Sequence, residues 1–155
     1  HTIYYDQLPH YFLEFDVFDR STGRFLSTRA RHALLRGAPV VSVPVIRSGP
    51  VTSHDDLVSL VQRSLYKSLT WKENLTRAWA GRHLAPDRLW KETDPADLAE
   101  GLYIKVEQDD EVVGRYKYVR ASFLTAVLES ESHWLSRPIV PNRLADGIDI
   151  FGASR

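Results

Sequence analysis

EGLYIKVEQDDEVVGRYKYVR, running from Glu100 to Arg120, carries β-branched and aromatic residues on both sides of the acidic pair Asp109-Asp110. That is the pattern of two antiparallel strands joined by a tight turn. A two-residue loop at Asp109-Asp110, or a four-residue one over Gln108–Glu111, sets Leu102 opposite Lys117 and Ile104 opposite Arg115, and opposed residues share a face. Glu100, Leu102, Ile104, Arg115 and Lys117 are then predicted on one side, with Tyr103, Lys105, Tyr116 and Tyr118 on the other. A three-residue loop would reverse the relation. One carboxylate and two cations over an apolar floor suit a ligand that combines phosphates with a metal ion or a sugar hydroxyl, such as a nucleoside triphosphate. A cross-strand ion-pair network on a solvated face is the other reading of the same residues.

Upstream of the hairpin, YFLEFDVF (Tyr11–Phe18) reads as a buried strand followed by a turn at Ser21-Thr22-Gly23. Period two places Leu13, Phe15 and Val17 on one face and Phe12, Glu14, Asp16 and Phe18 on the other. Ser27-Thr28 offers a cap to the helix RARHALLR, with Gly37 beyond its end. Val40–Ile46 reads as a strand that Pro44 pushes toward a sheet edge. Ser53 caps a helix over SHDDLVSLVQRSL, whose Asp55 and Asp56 suit the positive end of the helix dipole. A helix over roughly Trp71–Arg82 follows, then short helical pieces at Pro86 and Pro95, the hairpin, and a helix over Ala121–Ser130. The tail from Trp134 is expected to lie extended over the surface. Strands and helices in this order predict an α+β fold.

With 155 residues, one domain or part of one is expected, burying ~68–70% of its unfolded surface. Apolar residues at 43% and charged residues at 26% exclude a disordered chain, and no apolar run reaches the length of a membrane span. A cytosolic, and so cytoplasmic, protein is expected. Twenty basic residues balance twenty acidic ones, so any phosphate recognition must come from a local cluster. The absence of cysteine removes disulfides, thiol nucleophiles and cysteine-based zinc sites, and the six histidines show no metal-ligand spacing. Lys67 reads as an exposed lysine and Trp71 as a half-buried tryptophan, with nucleic-acid contact as the alternative for both; Asp6, Asp16 and Asp19 read as turn and strand-edge residues. The chain contains no methionine and opens on His1, so a piece of a longer protein is expected.

Glu100–Lys105 (EGLYIK) followed by Arg115–Lys117 (RYK) resembles the fourth and fifth motifs of the covalent nucleotidyltransferases, the superfamily of ATP-dependent RNA and DNA ligases and mRNA capping enzymes. FLEFDVFD followed by RFLSTRARHALL resembles that superfamily's intermediate aromatic strand and the helix after it. Together with SLYKSLTWKENL, GRYKYVRASFLTAV and PIVPNRL, the whole chain resembles bacterial and phage-type RNA ligase domain proteins. The resemblance implies an antiparallel-sheet nucleotidyltransferase (ATP-grasp-like) domain with flanking helices. It implies that Glu100 acts at the metal and nucleotide, that Arg115 and Lys117 contact nucleotide phosphates, and that Lys117 and Glu100 are the catalytic pair. Lys105 lies on a strand whose counterparts bind or support the nucleotide. Phe15, with Phe18 as second choice, maps to the aromatic that stacks on adenine; a core aromatic is the other reading of Phe15. Many members have lysine where this chain has Arg115, which still clamps phosphate but lacks a tunable ammonium. ATP, Mg2+ and RNA ends are the implied cofactors and partners.

The superfamily's nucleophile is the lysine of K-x-D-G, and none of Lys67, Lys72, Lys91, Lys105 and Lys117 stands in that setting. The third-motif glutamate is also missing. Residues 1–155 therefore resemble the C-terminal portion of an RNA ligase nucleotidyltransferase domain, partial and inactive alone, with the missing N-terminal half as an expected partner. A non-catalytic nucleotide- or RNA-binding module and a DNA ligase or capping-type enzyme are the competing readings.

Overall fold

A computed structural model describes residues 3–82, 85–128 and 139–150. The protein is α+β, with six strands in three two-stranded sheets among the described residues. In chain order the elements are β1 (Leu13–Glu14), β2 (Phe18–Asp19), β3 (Arg24–Phe25), α1 (Thr28–Leu34), β4 (Val41–Ser42), α2 (His54–Ser59), α3 (Trp71–Ala80), a 3-10 turn (Pro86–Arg88), β5 (Gly101–Gln108), β6 (Glu111–Val119) and α4 (Ala121–Leu128). β1 pairs with β4 in parallel, whereas β2–β3 and β5–β6 are antiparallel.

The core gathers on α3. Trp71, Leu75 and Trp79 recur at helical spacing and pack with Tyr4, Leu89 and Val140, all nearly inaccessible to solvent. Val140 belongs to the tail expected to lie extended over the surface, of which residues 134–138 lie outside the described residues. Residues 139–150 have no helix or strand and are mostly exposed, as expected, but Val140 is buried, Leu8 N–H donates to the Arg143 carbonyl, and Arg143 N–H donates to that of Tyr5. The expected helix piece at Pro95 is absent, and the part of the expected helix at 129–130 lies outside the described residues.

Two other expectations shorten. The Tyr11–Phe18 strand breaks after Glu14, and Phe15–Val17 carry no ladder pairing, so strict alternation fails across them. Glu14 is buried rather than solvated. Its carboxylate accepts from Arg31 of α1 at 2.7 Å and from Ser42 of β4 at 2.8 Å, which ties both elements to β1. The helix after Ser53 ends at Ser59, although its cap forms as expected, with Asp56 N–H donating to Ser53 Oγ.

The hairpin tip docks on β3 and α1. Arg24 pairs with Glu111 at 2.8 Å, and Glu107 accepts from the Thr28 N–H at 2.8 Å, a carboxylate at the positive end of α1. Asp109 turns the chain at φ 54°, a left-handed conformation that aspartate tolerates.

Candidate nucleotide-binding face

Close to the turn the hairpin has the predicted register, with Gln108 opposite Glu111 and Glu107 opposite Val112. A bulge at Val113 then inserts one extra residue, and Val106 faces Gly114. From there on, Lys105 stands opposite Arg115, Ile104 opposite Tyr116 and Tyr103 opposite Lys117. A shift of one residue exchanges faces. The predicted register is therefore corrected: the ladder groups Tyr103, Lys105, Arg115 and Lys117, and sets Leu102 and Ile104 on the opposite face, while Glu100 stands just before the ladder begins. The two-residue turn at Asp109-Asp110 is as expected, but an internal bulge leaves no signature in the strand pattern beyond Gly114.

The cationic face closes around Asp16, which had read as a strand-edge residue. Lys105 Nζ lies 2.7 Å from Asp16 Oδ1 and Arg115 3.6 Å from Oδ2, and the Tyr103 hydroxyl donates to Oδ2 at 2.6 Å. Burial alone would raise the Asp16 carboxyl, but the Lys105 and Tyr103 hydrogen bonds and both cations outweigh it and hold it below its usual value. The Arg115 guanidinium sits 3.8 Å from the Phe25 ring centroid. Phe15 meets Tyr103 edge-on at 5.3 Å and is 49% exposed, so it is not a core aromatic. Phe18, the second choice, is equally exposed and packs on Phe25. Lys117 is exposed and forms no ion pair among the described residues. Three cations thus share this face with one carboxylate, and an exposed aromatic borders them.

Glu100 stands half-buried just before β5. Its carboxylate accepts from the Tyr5 hydroxyl at 2.6 Å, and its carbonyl accepts from Arg120 N–H at 3.0 Å. Burial, then the Glu100 carboxylate, push the Tyr5 phenol far above its usual range. Gly101 is required beside it, because a Cβ there would fall 1.9 Å from the Tyr118 carbonyl oxygen. Behind Glu100 lies a charged cluster that the sequence did not reveal. Arg120 pairs with Asp94 and donates to the Ala99 carbonyl at 2.9 Å. Lys67, expected to be exposed, is fully buried; its ammonium donates to the Ala96 carbonyl at 2.6 Å, lies 3.9 Å from Asp94, and sits 4.1 Å from the centre of the Trp71 ring. Trp71 is buried too, with its indole N–H donating to Asp97 at 2.7 Å. Asp6 is likewise buried, accepting from Ser68 N–H and from Asn74.

No group of three or more histidine and acidic side chains that could hold a metal ion occurs among the described residues. Glu100 offers one carboxylate, with a single oxygen engaged by hydrogen bonding among the described residues. That donor set fits Mg2+, which commonly takes one or two protein carboxylates and completes its shell with water and substrate phosphate. Among the described residues no helix is long and apolar enough to cross a membrane.

No curated protein and no solved structure matches the chain. A family model described as RNA ligase matches residues 1–119, most of the length and including the cationic face, Phe15, Glu100 and Lys117. The chain belongs to the RNA ligase family.

Proposed function

We propose that the protein is part of an ATP-dependent RNA ligase, the C-terminal portion of a nucleotidyltransferase domain spanning residues 1–155, acting in the cytoplasm on RNA ends. The observation that carries this reading is the cationic face of a chain in the RNA ligase family: Lys105, Arg115 and Lys117 beside an exposed Phe15, with Asp16 the one carboxylate paired with them among the described residues. Phe15 stacks on the adenine, Arg115 and Lys105 hold phosphate oxygens, and Lys117 stabilises charge at the α-phosphate as it is attacked. Arg115 binds as a planar fork and stays charged throughout.

The reaction proceeds in three transfers. A lysine amine attacks the α-phosphorus of ATP, forming a P–N bond as the bond to pyrophosphate breaks. An oxygen of the RNA 5′-phosphate then attacks the lysyl-bound AMP at phosphorus, and the P–N bond breaks to free the lysine. Finally a 3′-hydroxyl, giving up its proton, attacks the 5′-phosphate as the bond to AMP breaks and AMP leaves. Mg2+ neutralises triphosphate charge when bound. Glu100 is its protein ligand in this reading, on the strength of the EGLYIK resemblance and its singly hydrogen-bonded carboxylate. Glu100 stands just before β5, at the end of the hairpin away from its turn.

None of the five lysines stands in K-x-D-G, so the attacking amine comes from a further segment. With Mg2+ and ATP labelled at the α-phosphorus, this chain alone should form no covalent adenylate. Adding a separately expressed segment with K-x-D-G and the third-motif glutamate should restore the label. Labelling of the chain alone would overturn the assignment of the missing lysine. A folded but inert mixture would favour the second reading, a nucleotide-binding module without catalysis, which the missing motif supports.

A further inference from the structure

We propose that Tyr5 is a positioning residue for the Glu100 carboxylate. The inference rests on the reading of Glu100 as a metal ligand and adds a residue to it. Tyr5 and Glu100 are 95 positions apart, yet the phenol reaches Glu100 Oε1 at 2.6 Å. The tyrosine is itself fixed: its N–H donates to Asn142 Oδ1 at 3.0 Å, its carbonyl accepts from Arg143 N–H at 2.8 Å, and its ring meets Tyr66 edge-on at 5.6 Å.

The Glu100 main chain is held as firmly from the other side. Arg120, anchored by Asp94, binds the carbonyls of both Ala99 and Glu100. The backbone is clamped and one carboxylate oxygen is held by Tyr5, while the second oxygen makes no hydrogen bond among the described residues. Ligating carboxylates are commonly hydrogen-bonded in this way, because a ligand that is already oriented loses less freedom when it takes the metal. The neighbouring Tyr66 provides the contrast: its hydroxyl is buried in the same aromatic pair and has no hydrogen-bond partner among the described residues.

The test is Mn2+ affinity of the full-length gene product in the presence of α,β-methylene-ATP. Water proton relaxation separates Mn2+ on the protein from Mn2+ on free nucleotide. Tyr5→Phe should weaken Mn2+ binding about tenfold, the scale of a lost second partner to a metal ligand. Glu100→Gln should weaken it further, and the double variant should be no weaker than Glu100→Gln alone. Tyr66→Phe, which keeps the ring pair, should bind as the parent does. Unchanged binding by Tyr5→Phe, an equal loss in both Glu100 backgrounds, or an equal loss in Tyr66→Phe overturns the positioning role while the metal reading of Glu100 stands. If Glu100→Gln binds Mn2+ as well as the parent, the metal reading falls first and the role of Tyr5 falls with it.

Discussion

Two sets of cations flank the same hairpin, and their surroundings differ. Lys67 and Arg120 are almost wholly buried and share Asp94; Lys67 also donates to the Ala96 carbonyl, and Arg120 to the Ala99 carbonyl and the Ser122 hydroxyl. Lys105, Arg115 and Lys117 lie on a face where, among the described residues, Asp16 is the one carboxylate paired with them, Arg115 and Lys117 are exposed, and Phe15 stands beside them half in solvent. A buried charge that is fully partnered is bound to the fold. Arg115 and Lys117, exposed and partly unneutralised beside an open aromatic, are available to a ligand, whereas Lys105 is nearly buried and donates to the Phe15 carbonyl as well as pairing with Asp16. Residue type does not separate the sets, but the balance of carboxylates and solvent does.

If the first set is structural, removing its shared partner should be the most damaging single change. Asp94→Ala leaves two buried cations without a carboxylate and should cost about 3–5 kcal/mol of folding free energy, read by urea denaturation. An effect below about 1 kcal/mol would mean that water reaches the cluster and that the contrast is false.

The second set should show the reverse pattern. Lys117→Ala should leave folding stability within about 0.5 kcal/mol of the parent, since exposed side chains outside ion pairs contribute little. Adenylylation by the full-length gene product should fall on the order of a hundredfold, as for the loss of one donor to a developing charge. Lys72→Ala, an exposed lysine on α3, serves as the control and should change adenylylation far less. Equal losses would reduce the face to general electrostatics.

Titration sharpens the contrast. Burial lowers the Lys67 ammonium from its usual 10.5 to about 8, against the pull of Asp94. Between these values the unfolded chain keeps a proton that the folded chain has lost, so stability should rise with pH from about 8 toward 10, by up to about 1 kcal/mol per unit. Above pH 10 the raised phenols of Tyr4 and Tyr66 act in the opposite direction. Denaturation across this range should show the rise in the parent and not in Lys67→Met. The smallest effect belongs to the exposed pair Arg29–Asp110 at the hairpin tip, where Arg29→Ala should cost no more than about 0.5 kcal/mol.

The contrast also marks what the sequence could disclose. The hairpin and its turn were legible, because β-branched and aromatic residues flank Asp109-Asp110. α3 was legible too, through the spacing of Trp71, Leu75 and Trp79. The facing of Arg115 and Lys117 was not, since one bulged residue at Val113 moves them from the face of Leu102 and Ile104 to that of Tyr103 and Lys105. Alternation also misled at Asp16, because Phe15–Val17 carry no strand pairing, and the rule holds only within a continuous strand. Lys67 and Tyr5 owe their surroundings to partners 27 and 95 positions away, Asp94 and Glu100, and no local pattern encodes such pairings.

The claim that the open face receives ATP is tested most directly by photo-crosslinking the full-length gene product with 8-azido-ATP and Mg2+, followed by peptide mapping. The label should fall on the peptide containing Phe15 and Phe18, and excess ATP should suppress it. Label concentrated instead on Trp90 and Lys91, which line a separate cavity with Arg88 and Ser122, would contradict the account.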